Sequence, residues 1–497
     1  MRKYIKEIGS QSIIYTFSNI LTKAIGFLLI PIYTRYLSTS DYGIISMISS
    51  IVGIFTIIFA FGMDSSWSRF YFDFHEKNNQ SKKFFGNILL FLLVFGVIVS
   101  IVIILFGKNI MEKLFPGLQF YPYIFLSLFI SYFTIFFNVS LNLYRIKKMS
   151  IKYGVFSVLK FTSSVLLIIF FVSYLKKGAL GKLYAEGAIV FIFFIVSLVL
   201  LSKEVKLNFS LSTQKQTLKY GMPLIPHALA STIIIFADKF FLNLNEGLTT
   251  VGIYNIAVLF GSIMNYVVFG INASWSTFFM DIASKKGDDA KPIISQLSTY
   301  YIIAMSFIAL SIILFSPEIL HLMTTEEYNK AAQIIPIFVF NYLIIAFYYL
   351  FSVKLFYVKK SVKYIPIATF TSAIINVVLN YYLIPKYSMY GAAFATLISN
   401  FINMIFFYFL SQRFYHIRYE KRISIVFLIT TLITIGYYVS HNIGGLVLQI
   451  GFKIILLGLF FLFLYVFQFF RKSEIENLKD IWNKVRIRQS LKKKKPL

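Results

Sequence analysis

The sequence predicts an all-α polytopic membrane protein of about fourteen transmembrane helices, two parallel six-helix bundles followed by two extra C-terminal helices. Three observations predict it: the composition, the placement of Lys and Arg, and a near-repeat running through both halves. Hydrophobic residues make up 58% of the 497 and charged residues only 14%, with mean hydropathy +0.75. A soluble domain carries about a quarter charged residues. The apolar runs are far longer than the alternating segments of about ten residues that build a membrane β-barrel. The start, MRKYIKEIGSQS, is basic, but no small-residue cleavage site follows its apolar run, so that run reads as a retained helix. The chain has no cysteine, which excludes disulfides, thiol catalysis and cysteine-bound metals.

In chain order, the apolar runs lie near residues 12–34, 42–63, 84–106, 119–143, 153–175, 182–202, 220–244, 250–272, 294–316, 332–357, 364–384, 390–411, 423–440 and 446–470. Each is long enough to cross a bilayer at about 20 residues per span. Charge tests the count. With the N-terminus inside, 35 of the 48 Lys and Arg fall on the cytoplasmic side and 8 outside, with the lysines at 176–182 as the one blurred boundary. A miscounted span would invert every later loop and destroy this bias, so fourteen spans with both termini cytoplasmic is the expected topology. The same loops account for most of the net charge of +28, so no nucleic-acid partner is inferred. The tail from Arg471 to Leu497, ending KKKKPL, suits the anionic inner leaflet, where each basic residue contributes roughly 1 kcal/mol.

The repeat is read from several matches. Gly62 to Asp73 is GMDSSWSRFYFD, and Gly270 to Asp281 is GINASWSTFFMD. Tyr144 to Tyr153 (YRIKKMSIKY) matches Phe356 to Tyr364 (FYVKKSVKY), and Phe161-Thr162-Ser163 matches Phe370-Thr371-Ser372. Gly181 with Ala185 matches Gly391 with Ala395, and Gly43 matches Gly252. Six helices per copy is an even number, so the copies share one orientation and form a parallel repeat. The expected divisions are residues 1–210, 211–415, two added helices in 416–470, and a basic tail in 471–497. Trp67 and Trp275 are expected as anchors at the inner interface.

Five lysines fall inside spans: Lys23, Lys160, Lys239, Lys354 and Lys453. A lysine at mid-bilayer costs about 3 kcal/mol on insertion scales, which marks such residues as functional candidates. Lys23 lies near the middle of the first span, with Asn19 one turn earlier. Together with Lys160 and Lys239 they are the candidate substrate-binding residues. Lys354, near the inner end of its span, is expected to snorkel. Asp238 is adjacent to Lys239, and successive helical positions need not pair. Asp64 and Arg69 flank Trp67 as a candidate gate pair. His227 follows Pro223 and Pro226 in GMPLIPH, where prolines should distort the first turns. Asp238, Asp64, Arg69 and His227 are the candidate ion-coupling or gate residues. Amides recur at one-turn spacing, as in Asn138 with Asn142 and Asn376 with Asn380, read either as sugar contacts or as interhelical hydrogen bonds.

Enzyme signatures are missing. There is no GxxxxGK[ST], HExxH or GxSxG in the sequence, and no loop long enough to hold a catalytic domain. No cofactor is expected. An acidic ring or repeated filter, as a channel would need, is also not found.

Three segments then resemble a known family: KAIGFLLIPIYTRYLSTSDYGI from Lys23, GMPLIPHALASTIIIFADKFFL from Gly221 with VGIYNIA from Val251, and YGAAFATLISN from Tyr390. They resemble the polysaccharide transporter branch of the multidrug/oligosaccharidyl-lipid/polysaccharide exporter superfamily, the Wzx-type O-antigen or capsule repeat-unit flippases. The resemblance implies flipping of an undecaprenyl-pyrophosphate-linked oligosaccharide across the bacterial inner membrane, with membrane lipids and a polysaccharide polymerase as partners and a proton or sodium ion for coupling. Such proteins often carry Asp-Arg where this chain has Asp238-Lys239, which keeps the cation but loses a bidentate phosphate fork. The alternatives are an ion-coupled multidrug antiporter or a peptidoglycan lipid-precursor flippase of the same superfamily. A membrane glycosyltransferase or scaffold is disfavoured because every exterior loop is short.

Overall fold

The computed structural model describes residues 21, 26–74, 78–439, 445–467 and 469. Among the described residues it is helical throughout, without a strand. The helices used below are α1 (Ile30–Tyr36), α2 (Thr39–Ala60), α3 (Met63–Phe74), α4 (Asn78–Phe106), α5 (Phe125–Ile146), α6 (Ser150–Ile168), α7 (Gly178–Ser202), α8 (Leu211–Gly221), α9 (Ile225–Glu246), α10 (Leu248–Lys286), α11 (Ala290–Met323), α12 (Ile335–Tyr357), α13 (Ile365–Phe414), α14 (Arg422–Val439) and α15 (Leu446–Val466). Each apolar run read from the sequence falls on one of these helices, save the first, which lies mostly outside the described residues. Nine described stretches are long and apolar enough to cross a membrane, and two of them, of 76 and 50 residues, have the length of two spans each.

Local chemistry sets the boundaries. Ser38 caps α2 through a reciprocal box: its Oγ accepts from Asp41 N at 3.0 Å, and Asp41 Oδ2 accepts from Ser38 N at 3.3 Å. Asp41 Oδ1 also accepts from Ala179 N at 3.0 Å, so one carboxylate ties the starts of α2 and α7 together. Pro226, Pro336 and Pro366 stand in the first turns of α9, α12 and α13, where no intrahelical donor is required. The prolines of GMPLIPH do interrupt the chain as expected: a 3-10 turn, Met222–Leu224, separates α8 from α9. Within α13, Pro385 and the left-handed Ser388 (φ 54°) break the helix between the two runs that the sequence separates.

Contacts group the chain into two units, Met1–Ser274 with Ser316–Tyr415, and Trp275–Phe315 with His416–Leu497. In the first unit, α5 packs on α2 and α7, and α13 packs on α9 and α12. The matched glycines of the repeat meet each other there. A methyl group on Gly43 would lie 1.8 Å from Leu248 O, and one on Gly252 would lie 2.1 Å from Thr39 O and 3.0 Å from Gly43 N. The crossing of α2 with α10 therefore has room for neither side chain, the small-residue packing usual between membrane helices.

In the second unit Trp275 stacks on Tyr301 at 5.8 Å. Thr299 Oγ1 donates to Glu420 Oε2 at 2.9 Å, and Phe307 packs on Phe461. Lys453 is buried, with its ammonium 5.1 Å from the Tyr437 ring.

Two expectations change. Trp67 is fully buried against Phe85 at 4.5 Å and Trp275 is also buried, so both are packing residues inside the protein rather than rings facing the headgroups. Lys354 does not snorkel: it is 0% exposed, with its ammonium 5.7 Å from the Phe351 ring. The helices packed around α12 enclose its stem before it can reach water.

Candidate functional site

A polar centre lies in the second half of the first unit, around Asp238. The carboxylate sits on α9, 5% exposed, in a helix whose neighbouring positions are largely apolar. Three other helical segments converge on it. From α10, Tyr254 Oη donates to Asp238 Oδ2 at 2.7 Å. From the second part of α13, Thr396 Oγ1 donates to the same oxygen at 2.7 Å. From the first part, Asn380 Nδ2 donates to Oδ1 at 2.7 Å, and Asn376 Nδ2 is 3.5 Å from it. The two amides are one turn apart and joined, Asn380 Nδ2 to Asn376 Oδ1 at 3.1 Å, and Asn376 Nδ2 also donates to Thr396 Oγ1 at 3.2 Å. The break at Pro385 and Ser388 is what folds α13 back on itself and brings its two parts to one carboxylate.

All five side chains are buried. Their donors match an ionised carboxylate, which accepts on both oxygens. The centre also carries oxygens: two carboxylate, two amide and two hydroxyl. Asn380 Oδ1 is buried and has no hydrogen-bond partner among the described residues. One carboxylate with neutral oxygens is a hard donor set of low charge, suited to a monovalent cation or a proton rather than a multiply charged metal. Among the described residues no group of three or more His, Cys, Asp or Glu could hold a metal ion.

Lys239 is buried beside Asp238 on α9, yet neither a hydrogen bond nor an ion pair joins the two. The helical turn between adjacent positions separates them, as the sequence implied.

The first half holds a different site. Lys160 on α6 lines a cavity of about 380 Å³ with Tyr33 of α1, Ser157 and Ser164 of α6, and Lys182 and Glu186 of α7. A smaller cavity of about 140 Å³ is lined by Asp64, Ser65 and Asn138, together with Leu224 and Ile225. Asp64 makes no ion pair among the described residues. Arg69 is exposed, with its guanidinium 5.9 Å from the Phe70 ring. The Asp64–Arg69 pair is thus not formed in this structure. Lys23, Asn19 and the tail lie outside the described residues, as does the side chain of His227.

The structure thus gathers Asp238 into one centre and Lys160 into another. It adds Tyr254 and Thr396, which no sequence signal singled out. Asn376 and Asn380 were visible as a one-turn amide pair, and their role as carboxylate ligands follows from the bend in α13.

Comparisons agree with this architecture. A sequence family described as "Polysaccharide biosynthesis protein" matches residues 8–276, and a second, MatE, matches residues 223–382. An uncharacterized membrane protein of Methanocaldococcus jannaschii, MJ1068, is 25% identical over 293 residues, covering 56% of this chain. The chain spans about half, 55%, of that relative's length. Among solved structures, "Lipid II flippase MurJ, inward closed conformation" aligns with TM-score 0.68 at 17% identity, over 93% of this chain and 99% of that one. An inward-facing multidrug resistance MATE family transporter of the MOP superfamily aligns with TM-score 0.63 at 14% identity, over 81% and 95%. At these identities the structures speak to the fold alone. With more than half of its residues matched, the chain belongs to the polysaccharide biosynthesis protein family, and its described helices are those of a multi-pass membrane protein.

Proposed function

We propose that the chain flips an undecaprenyl-pyrophosphate-linked oligosaccharide from the inner to the outer leaflet of a bacterial cytoplasmic membrane, driven by a proton or sodium ion at Asp238. The observation that carries this reading is the buried Asp238 centre. A carboxylate inside a membrane bundle is costly, and a well-packed apolar residue would serve stability as well or better. Its use is to change occupancy. An ion entering the cluster would neutralise Asp238 and draw α9, α10 and the two parts of α13 together; its release would loosen them.

The substrate class is supported by the family description and by the likeness in fold to a lipid II flippase. Cations in the first half, Lys160 among them, suit an anionic headgroup. Lys23 and Asn19 are further candidates on that path, with Lys239 buried beside the ion centre. Alternating access would rock residues 1–210 against 211–415, with the helices of 416–470 outside the repeat. Asp64, Arg69 and His227 are proposed at the inner gate. Both termini would lie in the cytoplasm, and a polysaccharide polymerase would take up the product.

The match to MatE supports a second reading, an antiporter for organic cations. One experiment separates the two. In cells that express this chain and make surface polysaccharide, Asp238→Asn should lower export by about 100-fold, the scale of removing one partner of a buried charge pair, here the carboxylate that faces the coupling ion, while thermal stability in detergent changes little. Purified protein in liposomes should then show translocation that follows an imposed sodium or proton gradient. Wild-type export by Asp238→Asn would remove the coupling role. Gradient-driven efflux of ethidium, with normal surface polysaccharide after deletion, would replace the flippase by the antiporter.

A further inference from the structure

Lys182 and Glu186 form an ion pair one turn apart on α7. That leaves the second cation of the first-half cavity, Lys160, without a carboxylate in ion-pair distance among the described residues. Its ammonium instead rests over the Phe137 ring, 4.2 Å from the centroid. A ring face attracts a cation but does not neutralise it. Lys160 projects from a helix that reads as membrane-spanning, where an ammonium is expensive, and Glu186, near enough to act on it electrostatically, is already engaged by Lys182. The cavity it lines has about 380 Å³ of space, within the roughly 300–1,000 Å³ of small-molecule sites. Two ammonium groups against one carboxylate give the lining a net charge of +1. Tyr33, Ser157 and Ser164 add hydroxyls to it.

We propose that Lys160 and Lys182 form a binding site for one phosphoryl group, with Glu186 as the internal anion that holds Lys182 until the phosphoryl group takes its place. The exchange balances charge. A phosphoryl oxygen entering between the two ammonium groups replaces the carboxylate at Lys182 and gives Lys160 a direct anionic partner. The released Glu186 is then available to Tyr33 across the cavity. The hydroxyls serve the remaining phosphoryl oxygens, and Phe137 and Phe161 wall the site on its apolar side.

The repeat supports a shared position with altered chemistry. Glu186 follows Ala185, and Thr396 follows Ala395, the matched alanine of the second copy. Thr396 reaches Asp238, and Glu186 reaches Lys182. The same helical position thus lines a polar centre in both halves. In one the centre is built on an acid and takes a cation; in the other it is built on lysines and takes an anion.

This inference rests on the flippase reading for the source of the phosphoryl group, and its test separates the two. The full chain in lipid nanodiscs is titrated with farnesyl pyrophosphate and, separately, with inorganic pyrophosphate, following heat or intrinsic fluorescence. Both should bind and compete. Lys160→Ala should weaken both by about 30-fold or more, as for unpairing a buried charge, and Lys160→Arg should restore most of the binding. Glu186→Gln removes the competing anion and should tighten binding by about tenfold, a gain that a merely structural role cannot produce. The site is overturned if neither probe binds, if Lys160→Ala binds like the parent, or if Glu186→Gln weakens binding. Farnesyl pyrophosphate bound equally by Lys160→Ala rejects this site and leaves the flippase reading standing. Binding of inorganic pyrophosphate alone, lost in Lys160→Ala, keeps the anion site and removes the lipid-linked substrate.

Discussion

The Asp238 centre and the Lys160 cavity occupy related helices of the two repeats and differ in sign and in closure. Around Asp238, four neutral side chains from α10 and both parts of α13 converge within hydrogen-bonding reach. Around Lys160 there is open volume, an aromatic face and an acid already engaged by Lys182. The difference teaches what the sequence match between the halves carries: a position on a helix, with a different chemistry at each. A packed, donor-rich centre suits a small ion whose arrival changes helix spacing. A roomier cationic cavity suits a larger anionic group.

The contrast depends on a shared frame, and breaking that frame should have the largest effect. Gly43 and Gly252 meet at the crossing of α2 and α10, where even a methyl group meets backbone oxygen. Gly43→Leu should therefore destabilise by about 3 kcal/mol, the upper end for overpacking. It should be read as a lowered melting temperature and a loss of monodisperse protein on size exclusion, and an unchanged melting curve would deny the close crossing. Next comes a transplant of sign. Thr396→Glu places a second carboxylate beside Asp238, at the position that Glu186 holds in the first copy. Two carboxylates favour a divalent cation, so the variant should gain calcium-dependent thermal stabilisation that the parent lacks; no calcium response would mean that the position does not face the ion. The smallest effect is expected at the amide pair. Asn380→Ala removes one donor from Asp238, costing about 1–3 kcal/mol, and should weaken ion-dependent stabilisation more than Thr371→Ala, an exposed hydroxyl on the same helix that bonds only its own backbone.

Much of the fold was legible because membrane physics writes it into composition. Backbone groups in lipid must be satisfied within the segment, so each apolar run becomes a helix, and the 50 residues of α13 appear where two runs were read close together. The break inside α13 falls between the runs read at 364–384 and 390–411. The candidate site was legible only in part. Asp238 and Lys160 stood out as charges in apolar runs, and Asn376 and Asn380 as amides one turn apart. Tyr254 and Thr396 did not, because a tyrosine or threonine in an apolar helix is ordinary until something charged lies within 2.7 Å of its hydroxyl. Nor did the sequence show that Trp67 and Lys354 would be enclosed, since enclosure depends on which neighbours pack around a helix.

The sequence by itself determined the helical class, the order of the described helices and the charges that fall within apolar runs. These follow from local rules of hydropathy and charge that need no partner. Only the tertiary structure decided which polar residues meet. Asp238 and Thr396 are 158 residues apart, and their meeting depends on the fold of α13 about Ser388 and on its packing against α9. The close crossing at Gly43 and Gly252 is of the same kind: the sequence marked the glycines as matched, and packing made them neighbours.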